Sequence, residues 1–110
     1  MSKTKVVFRA DGSSKIGLGH VVRSLALVKM LREEFDCVFA IQEPDKAIYK
    51  QVKAVCKNLI KLPLCSADAS SFNKELDKYL TGREIVVLDG YAFTTAYQQH
   101  LKLKGCAVVC

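Results

Sequence analysis

The chain has 110 residues, of which 50% are hydrophobic and 25% are charged. This composition excludes a disordered, collagen-like or low-complexity chain and predicts one globular domain with a single core. Seventeen lysines and arginines against eleven aspartates and glutamates give a formal charge of +6, which favours phosphate-bearing partners but does not choose among nucleic acid, anionic lipid and a small nucleotide.

The N-terminus and the cysteines indicate the compartment. Residues 6–8 are the only apolar run before Arg9, which is too short for a secretory signal peptide. No run approaches the roughly 18 apolar residues of a membrane span. The cysteines are odd in number and form no C-x-x-C pair, so we interpret them as packed, reduced thiols. We therefore expect a cytoplasmic protein without a transmembrane segment.

Short apolar runs alternate with helical patterns along the chain. Within each apolar run, no polar residues stand at every second position. Such uninterrupted runs predict strands that are covered on both faces, as in a parallel sheet. The helices between them predict a doubly wound, Rossmann-like α/β sheet of about five strands in the order 3-2-1-4-5, with helices on both faces. The predicted buried helix faces include Leu27, Ala47 and Leu103. The predicted strands contain residues 6–8, 37–41, 59–60, 85–88 and 106–110, and the predicted helices span 20–35, 45–57, 71–80 and 94–104.

The last predicted strand carries an expectation about the whole polypeptide. Residues 106–110 read as a buried strand, and no polar residue follows them. Because natural termini usually lie at the surface, we expect residues 1–110 to be the first domain of a longer chain.

Two loops should hold the chemistry, because open parallel sheets bind ligands where the strand order reverses. The first loop follows residue 8 and contains Gly12, Gly17 and Gly19, which allow close backbone approach to an anion at a helix N-terminus. The glycine spacing matches neither a P-loop nor a dinucleotide fingerprint, which argues against an ATPase or an NAD enzyme. A tight turn without a ligand is the alternative.

The first loop also carries titratable side chains. His20 lies at the start of the predicted helix, whose positive end disfavours imidazolium, so a neutral imidazole can serve as general base; a structural histidine would look the same. Arg9 and Asp11 form either an ion pair or contacts to substrate hydroxyls. Arg23, one turn past His20, reaches the same crevice or faces solvent. His100, in contrast, is predicted to be a solvated surface residue.

The second loop follows the fourth predicted strand. Asp89 can orient this loop or touch a ligand, and Tyr91 offers a ring and a hydroxyl to a sugar, unless its ring simply anchors the loop. Elsewhere, a basic stripe on the second helix is predicted to be a solvated face, with weak membrane-surface contact as the alternative and nucleic acid disfavoured. The stripe consists of Lys46, Lys50, Lys53 and Lys57.

The run from Arg9 to Leu27, RADGSSKIGLGHVVRSLAL, resembles the opening motif of the nucleotide-sugar hydrolases of pseudaminic acid biosynthesis (PseG type) and of the related spore coat polysaccharide biosynthesis proteins. Residues 86–91, VVLDGY, followed by Tyr97-Gln98, resemble a second motif of that family. The first match is long and specific, and the second is short and supporting.

The resemblance implies a GT-B architecture, with two Rossmann-like domains as in MurG-type glycosyltransferases. It further implies hydrolysis of a UDP-linked 2,4-diacetamido-2,4,6-trideoxyhexose with inversion, without a metal or cofactor. His20 matches the proposed base, and Tyr91 matches a tyrosine of the sugar site. The missing C-terminal domain would hold most of the nucleotide, so we expect residues 1–110 alone to be inactive. The remaining motif positions, with binding or structural roles, are Arg9, Asp11, Gly17, Leu18, Gly19, Arg23 and Asp89.

Three other functions remain open at this stage. A related GT-B glycosyltransferase would use the same base on a sugar acceptor. A non-catalytic sugar- or phosphate-binding module would complete a partner chain and would not need His20. A receiver-type switch is disfavoured, because residues 62–64, Leu-Pro-Leu, stand where its phosphoacceptor aspartate would be.

Overall fold

The computed structural model describes residues 3–12, 18–63, 74–89 and 95–109. Strands and helices alternate along these ranges, as the sequence predicts. The strands are Lys5–Ala10 (β1), Asp36–Gln42 (β2), Asn58–Leu62 (β3), Ile85–Asp89 (β4) and Ala107–Val109 (β5). The helices are Gly19–Leu31 (α1), Lys46–Val55 (α2) and Thr95–Leu103 (α3), with a 3-10 helix over Lys74–Tyr79.

The five strands form one parallel sheet in the order β3-β2-β1-β4-β5. The predicted Rossmann-like α/β fold and the predicted strand order are therefore confirmed. β1 is central, and its last residue, Ala10, pairs with Asp89 at the end of β4. The carboxyl ends of β1 and β4 thus lie side by side, which places the loops that follow them at one edge of the sheet.

Helices cover both faces of the sheet and divide the core in two. On one face, α1 and α2 pack against alternate side chains of β1 and β2, among them Phe8 and Phe39. On the other face, α3 and the 3-10 helix pack against Val7 through Leu76 and Leu101. Burial of each such side chain contributes about 1.5–3 kcal/mol, so both faces of the central strands must be apolar. This explains why the strand sequences do not alternate.

Local sequence sets the helix boundaries. The Asp45 carboxylate accepts a hydrogen bond of 2.9 Å from the Ile48 N–H and so caps α2. α1 ends at Leu31, four residues earlier than predicted, and residues 32–34 form an exposed turn before β2. The predicted helix 71–80 is a 3-10 helix where it is described. Its six residues are too few for cooperative α-helix formation, and Leu76 and Leu80 anchor the segment to the core.

Four predictions about burial are wrong. Leu27, Ala47 and Leu103 are exposed, because α1, α2 and α3 each bury a narrower stripe than their apolar residues suggest. The predicted buried strand at 106–110 is an edge strand, and the side chains at both ends of β5 are exposed. An edge position, with one neighbouring strand and one open side, accounts for that exposure.

The cysteine and membrane predictions can be compared with the described residues. Cys37, Cys56 and Cys106 are buried free thiols, as predicted, whereas Cys65 and Cys110 lie outside the described residues. Burial raises the pKa of each of these three thiols. No helix in the described part of the chain has the length and apolar character that a bilayer crossing requires.

Candidate active site

Polar side chains gather at the carboxyl edge of the sheet, where β1 lies between β2 and β4. Strand order reverses at this point, because the chain adds β2 and β3 on one side of β1 and then β4 and β5 on the other. Such a reversal opens a crevice above the strand ends and is the usual ligand site of a parallel sheet. The sequence predicts the site here, and the described residues place its charged groups here.

Asp89 is the centre of this group. Its Oδ1 lies 2.9 Å from His20 Nδ1, and its Oδ2 accepts a hydrogen bond of 2.9 Å from Arg23 Nε. Arg23 Nη2 also donates to Oδ1, which makes the contact bidentate. The Ser24 hydroxyl donates to Oδ2 at 3.3 Å. One carboxylate at the end of β4 therefore holds three side chains from the first two turns of α1.

The Asp89 carboxylate also favours one tautomer of His20. The Arg23 hydrogen bond, together with that from His20, lowers the pKa of Asp89 against the opposing effect of its burial. An ionised carboxylate can only accept hydrogen bonds, which favours a proton on Nδ1 of His20, although the Arg23 Nη2 donor also lies 3.1 Å from that nitrogen. In the neutral ring Nε2 then holds the lone pair. The ring is 28% exposed, so a base at this position can meet solvent.

Helical spacing explains why these three residues meet one carboxylate. His20, Arg23 and Ser24 are three and four positions apart and so share one face of α1, which lies over the end of β4. Arg23 is 65% exposed and bound to Asp89, so its side chain combines the two predicted alternatives: it reaches the edge where His20 lies, and it faces solvent. Sequence reasoning missed Ser24, which is buried. Its position four residues after His20 is the signal that would have found it.

Arg9 and Asp11 form the ion pair that was one of two predicted alternatives. Arg9 Nη1 lies 2.5 Å from Asp11 Oδ1, and Arg9 is only 2% exposed. Asp11 also accepts from the Gln42 N–H at 2.9 Å and from Gln42 Nε2 at 2.8 Å. These bonds tie the end of β1 to the end of β2. The geometry favours a structural role for this pair, and Gln42 is a second residue that sequence reasoning missed.

A second polar group lies on the face of the sheet that α3 and the 3-10 helix cover, next to Arg9. Tyr97 of α3 is buried close enough to interact with Arg9, and burial raises the pKa of Tyr97 to about 12. The Tyr97 ring stacks on His100, whose Nε2 lies 2.7 Å from Asp77 Oδ2. His100 is 29% exposed and a carboxylate from the 3-10 helix partners its ring, so it is partly buried where the sequence predicts a solvated residue. Nothing in the sequence places residue 77 beside residue 100.

Of the other predicted site residues, some lie within the residues that the structure describes and some lie outside them. Leu18 is the N-cap of α1 and has no polar side-chain atom, so it cannot satisfy the first N–H groups of the helix. Gly19 opens α1 and is exposed, with open space around the position of a side chain. Gly17 and Tyr91 lie outside the described residues. The helix N-terminus therefore adjoins His20, whereas the tyrosine of the second motif stays a prediction.

α2 begins at this edge, four residues after β2 ends, and the basic stripe runs along α2 away from it. Lys46, Lys50, Lys53 and Lys57 are all exposed along and just after α2, as predicted for a solvated face. Within the described ranges, no three His, Cys, Asp or Glu side chains gather in a way that could hold a metal ion.

The arrangement is suited to proton transfer. A carboxylate that holds a histidine by Nδ1 orients the ring and stabilises the imidazolium that forms when Nε2 takes a proton. Arg23 places a positive charge beside the same ring, with its Nη2 3.1 Å from Nδ1.

Comparisons with protein-family models, with curated proteins and with solved structures found no match to this chain.

Proposed function

We propose that the chain is the first domain of an enzyme that hydrolyses a UDP-linked 2,4-diacetamido-2,4,6-trideoxyhexose to the free sugar and UDP, with His20 as general base. The observation that carries the proposal is the 2.9 Å contact between Asp89 and His20 Nδ1 at the strand-order reversal. The choice of sugar and nucleotide rests on the resemblance of the two motifs.

The proposed reaction assigns one role to each group. His20 Nε2 takes a proton from water, and the water oxygen attacks the anomeric carbon on the face opposite the leaving group. The bond between the anomeric carbon and the diphosphate oxygen breaks, and its electrons leave with UDP. Attack from the opposite face inverts the configuration. Asp89 is a positioning residue in this scheme, because it acts through the imidazole.

The leaving diphosphate requires positive partners. Of the two arginines at this edge, Arg9 is buried in its ion pair, whereas Arg23 is largely exposed beside His20. A guanidinium has five N–H donors in a planar fork, so Arg23 can hold Asp89 and still offer donors to an anion. The N-terminal end of α1, where His20 lies in the first turn, adds partial positive charge at the same place.

The test is turnover of a panel of UDP-diacetamido sugars by the polypeptide that contains this domain and its second lobe, with UDP and free sugar followed by NMR. We expect UDP release with inverted sugar as the first product, and its loss in His20→Ala. Release that persists in His20→Ala would contradict the proposal. Product that appears only when a sugar acceptor is added would identify a glycosyltransferase instead.

A further inference from the structure

The described residues enclose a groove at the amino edge of the sheet, opposite the candidate active site. The groove has a volume of ≈ 730 Å³ and lies between the last turns of α1 and α2 and the starts of β2 and β3. Ligand pockets for small organic molecules typically have about 300–1,000 Å³. The six residues of β1, at about 3.3 Å each, separate this groove from the His20 edge. A ligand here would therefore not touch His20 or Asp89.

The groove combines an apolar floor with a cationic rim. Phe35 and Val55 are partly buried and line it together with the buried Val28. Four cations line it against a single carboxylate, that of Asp36. The apolar floor suits a hydrophobic body, and the excess of positive charge suits a multiply charged anionic group. The cations are Lys3, Arg32, Lys53 and Lys57.

Two of the four cations are held in place by the protein. Arg32 Nη1 donates to the Val55 carbonyl oxygen at 3.1 Å, and Lys53 Nζ donates to the Lys57 carbonyl oxygen at 2.9 Å. These bonds fix both side chains at the end of α2. A guanidinium and an ammonium each carry further N–H donors, and side chains already ordered lose less entropy when they bind.

We propose that this groove binds a small organic phosphate, with the aromatic or apolar body on Phe35 and Val55 and the phosphate between Arg32 and Lys53. A phosphate dianion can pair with both cations at once, whereas a single carboxylate has one charge to share between them. The site is separate from the proposed hydrolytic function and does not depend on it.

The experiment is a calorimetric titration of the 110-residue chain with 1-naphthyl phosphate, compared with inorganic phosphate and with 1-naphthol at the same ionic strength. We expect 1-naphthyl phosphate to bind more tightly than either part alone, because only the whole molecule uses both the floor and the rim. Affinity no higher than that of inorganic phosphate would overturn the proposal.

A matched pair of double variants distinguishes binding in the groove from attraction of the ligand by the net charge of the chain. Arg32→Gln with Lys53→Gln should weaken binding about tenfold or more, because it removes both charged donors that would pair with the phosphate. Lys46→Gln with Lys50→Gln removes the same charge from the first half of α2, outside the groove, and should change the affinity far less. Equal weakening by both pairs would show that only the net charge attracts the ligand, against the proposal.

Chemical-shift mapping of the unsubstituted chain keeps the test valid if the groove variant folds poorly. The amide signals of Phe35, Val55 and Asn58 should move on addition of 1-naphthyl phosphate, while those of Val21 and Ser24 stay fixed. Shifts confined to Val21 and Ser24 would place the ligand at the His20 edge and would refute the groove as its site.

Discussion

The two ends of β4 each carry a carboxylate that accepts several hydrogen bonds, but the donors differ. Asp89, at the end of the strand, accepts from three side chains of α1 that are 65 to 69 positions away in sequence. Glu84, immediately before the strand, accepts mainly from local groups within three positions, the N–H groups of Thr81, Gly82 and Arg83 and the Thr81 hydroxyl. Its one distant donor is the Cys106 thiol, at 3.7 Å.

The difference separates a structural carboxylate from a chemically useful one. Glu84 is 2% exposed, and the hydrogen bonds from the loop at 81–83 lower its pKa to about 2 despite burial. Three of those donors are backbone N–H groups and the fourth is the Thr81 hydroxyl, and they converge on the carboxylate only when the loop is folded, so Glu84 stabilises the fold. Asp89 instead holds a titratable imidazole and an exposed guanidinium, which solvent and a ligand can reach. The following experiments test this contrast, from the largest expected effect to the smallest.

Removal of the imidazole should have the largest effect. In the proposed two-domain enzyme, His20→Ala should lower turnover by about 10²–10⁴-fold, the range that a positioned general base contributes. The control is His100→Gln, which removes the other histidine, on the opposite face of the sheet, and should leave turnover within a few-fold. The measurement is kcat from UDP release. If both substitutions reduce kcat equally, stability and not proton transfer explains the loss.

Asp89→Asn tests the positioning role directly. The amide can donate to Nδ1, which would move the proton of the neutral ring to Nε2 and remove the lone pair that takes the proton from water. We expect a loss of turnover of about 10²-fold, within the general-base range, with little change in KM. Nitrogen-15 NMR of the imidazole should show the Nδ1–H tautomer in the unsubstituted chain and a shift away from it in Asp89→Asn. An unchanged tautomer together with full activity would contradict the role of Asp89.

Glu84→Gln should change stability instead of chemistry. A pKa lowered from 4.5 to about 2 corresponds to about 3 kcal/mol of folding free energy. Because the folded-state pKa is the lower one, this stabilisation is complete above pH 4.5 and is lost as the pH falls towards 2. Urea unfolding at pH 7 should show the loss in Glu84→Gln, and the variant should lose less stability than the unsubstituted chain on acidification. The control is Glu33→Gln, an exposed carboxylate, which should behave like the unsubstituted chain at both pH values.

The sequence predicts the sheet and its strand order because uninterrupted apolar runs separated by helical patterns allow few other arrangements. It also predicts the edge at which His20, Arg23 and Asp89 meet, since that edge follows from topology. It does not predict that Asp77 would partner His100 or that Gln42 would bind Asp11. Those contacts depend on how the layers pack in three dimensions, and neither spacing nor periodicity encodes them. The exposure of Leu27 and Leu103 likewise depends on how far each helix is covered.

The smallest expected effect concerns two glycines beside Glu84 and α3. Gly82 and Gly105 have φ values of +95° and +103°, and an added Cβ on Gly82 would lie 2.4 Å from the Lys104 carbonyl oxygen. Gly82→Ala should therefore cost about 1–3 kcal/mol of unfolding free energy, from backbone strain and the contact with main-chain atoms. Gly19→Ala is the matched control, because its Cβ would meet no atom within 4 Å and alanine favours a helix. Thermal unfolding should show Gly82→Ala below the unsubstituted chain and Gly19→Ala at or above it. If Gly19→Ala instead unfolds at a lower temperature than Gly82→Ala, the loop at 81–83 is not the rigid structural element that its hydrogen bonds to Glu84 indicate.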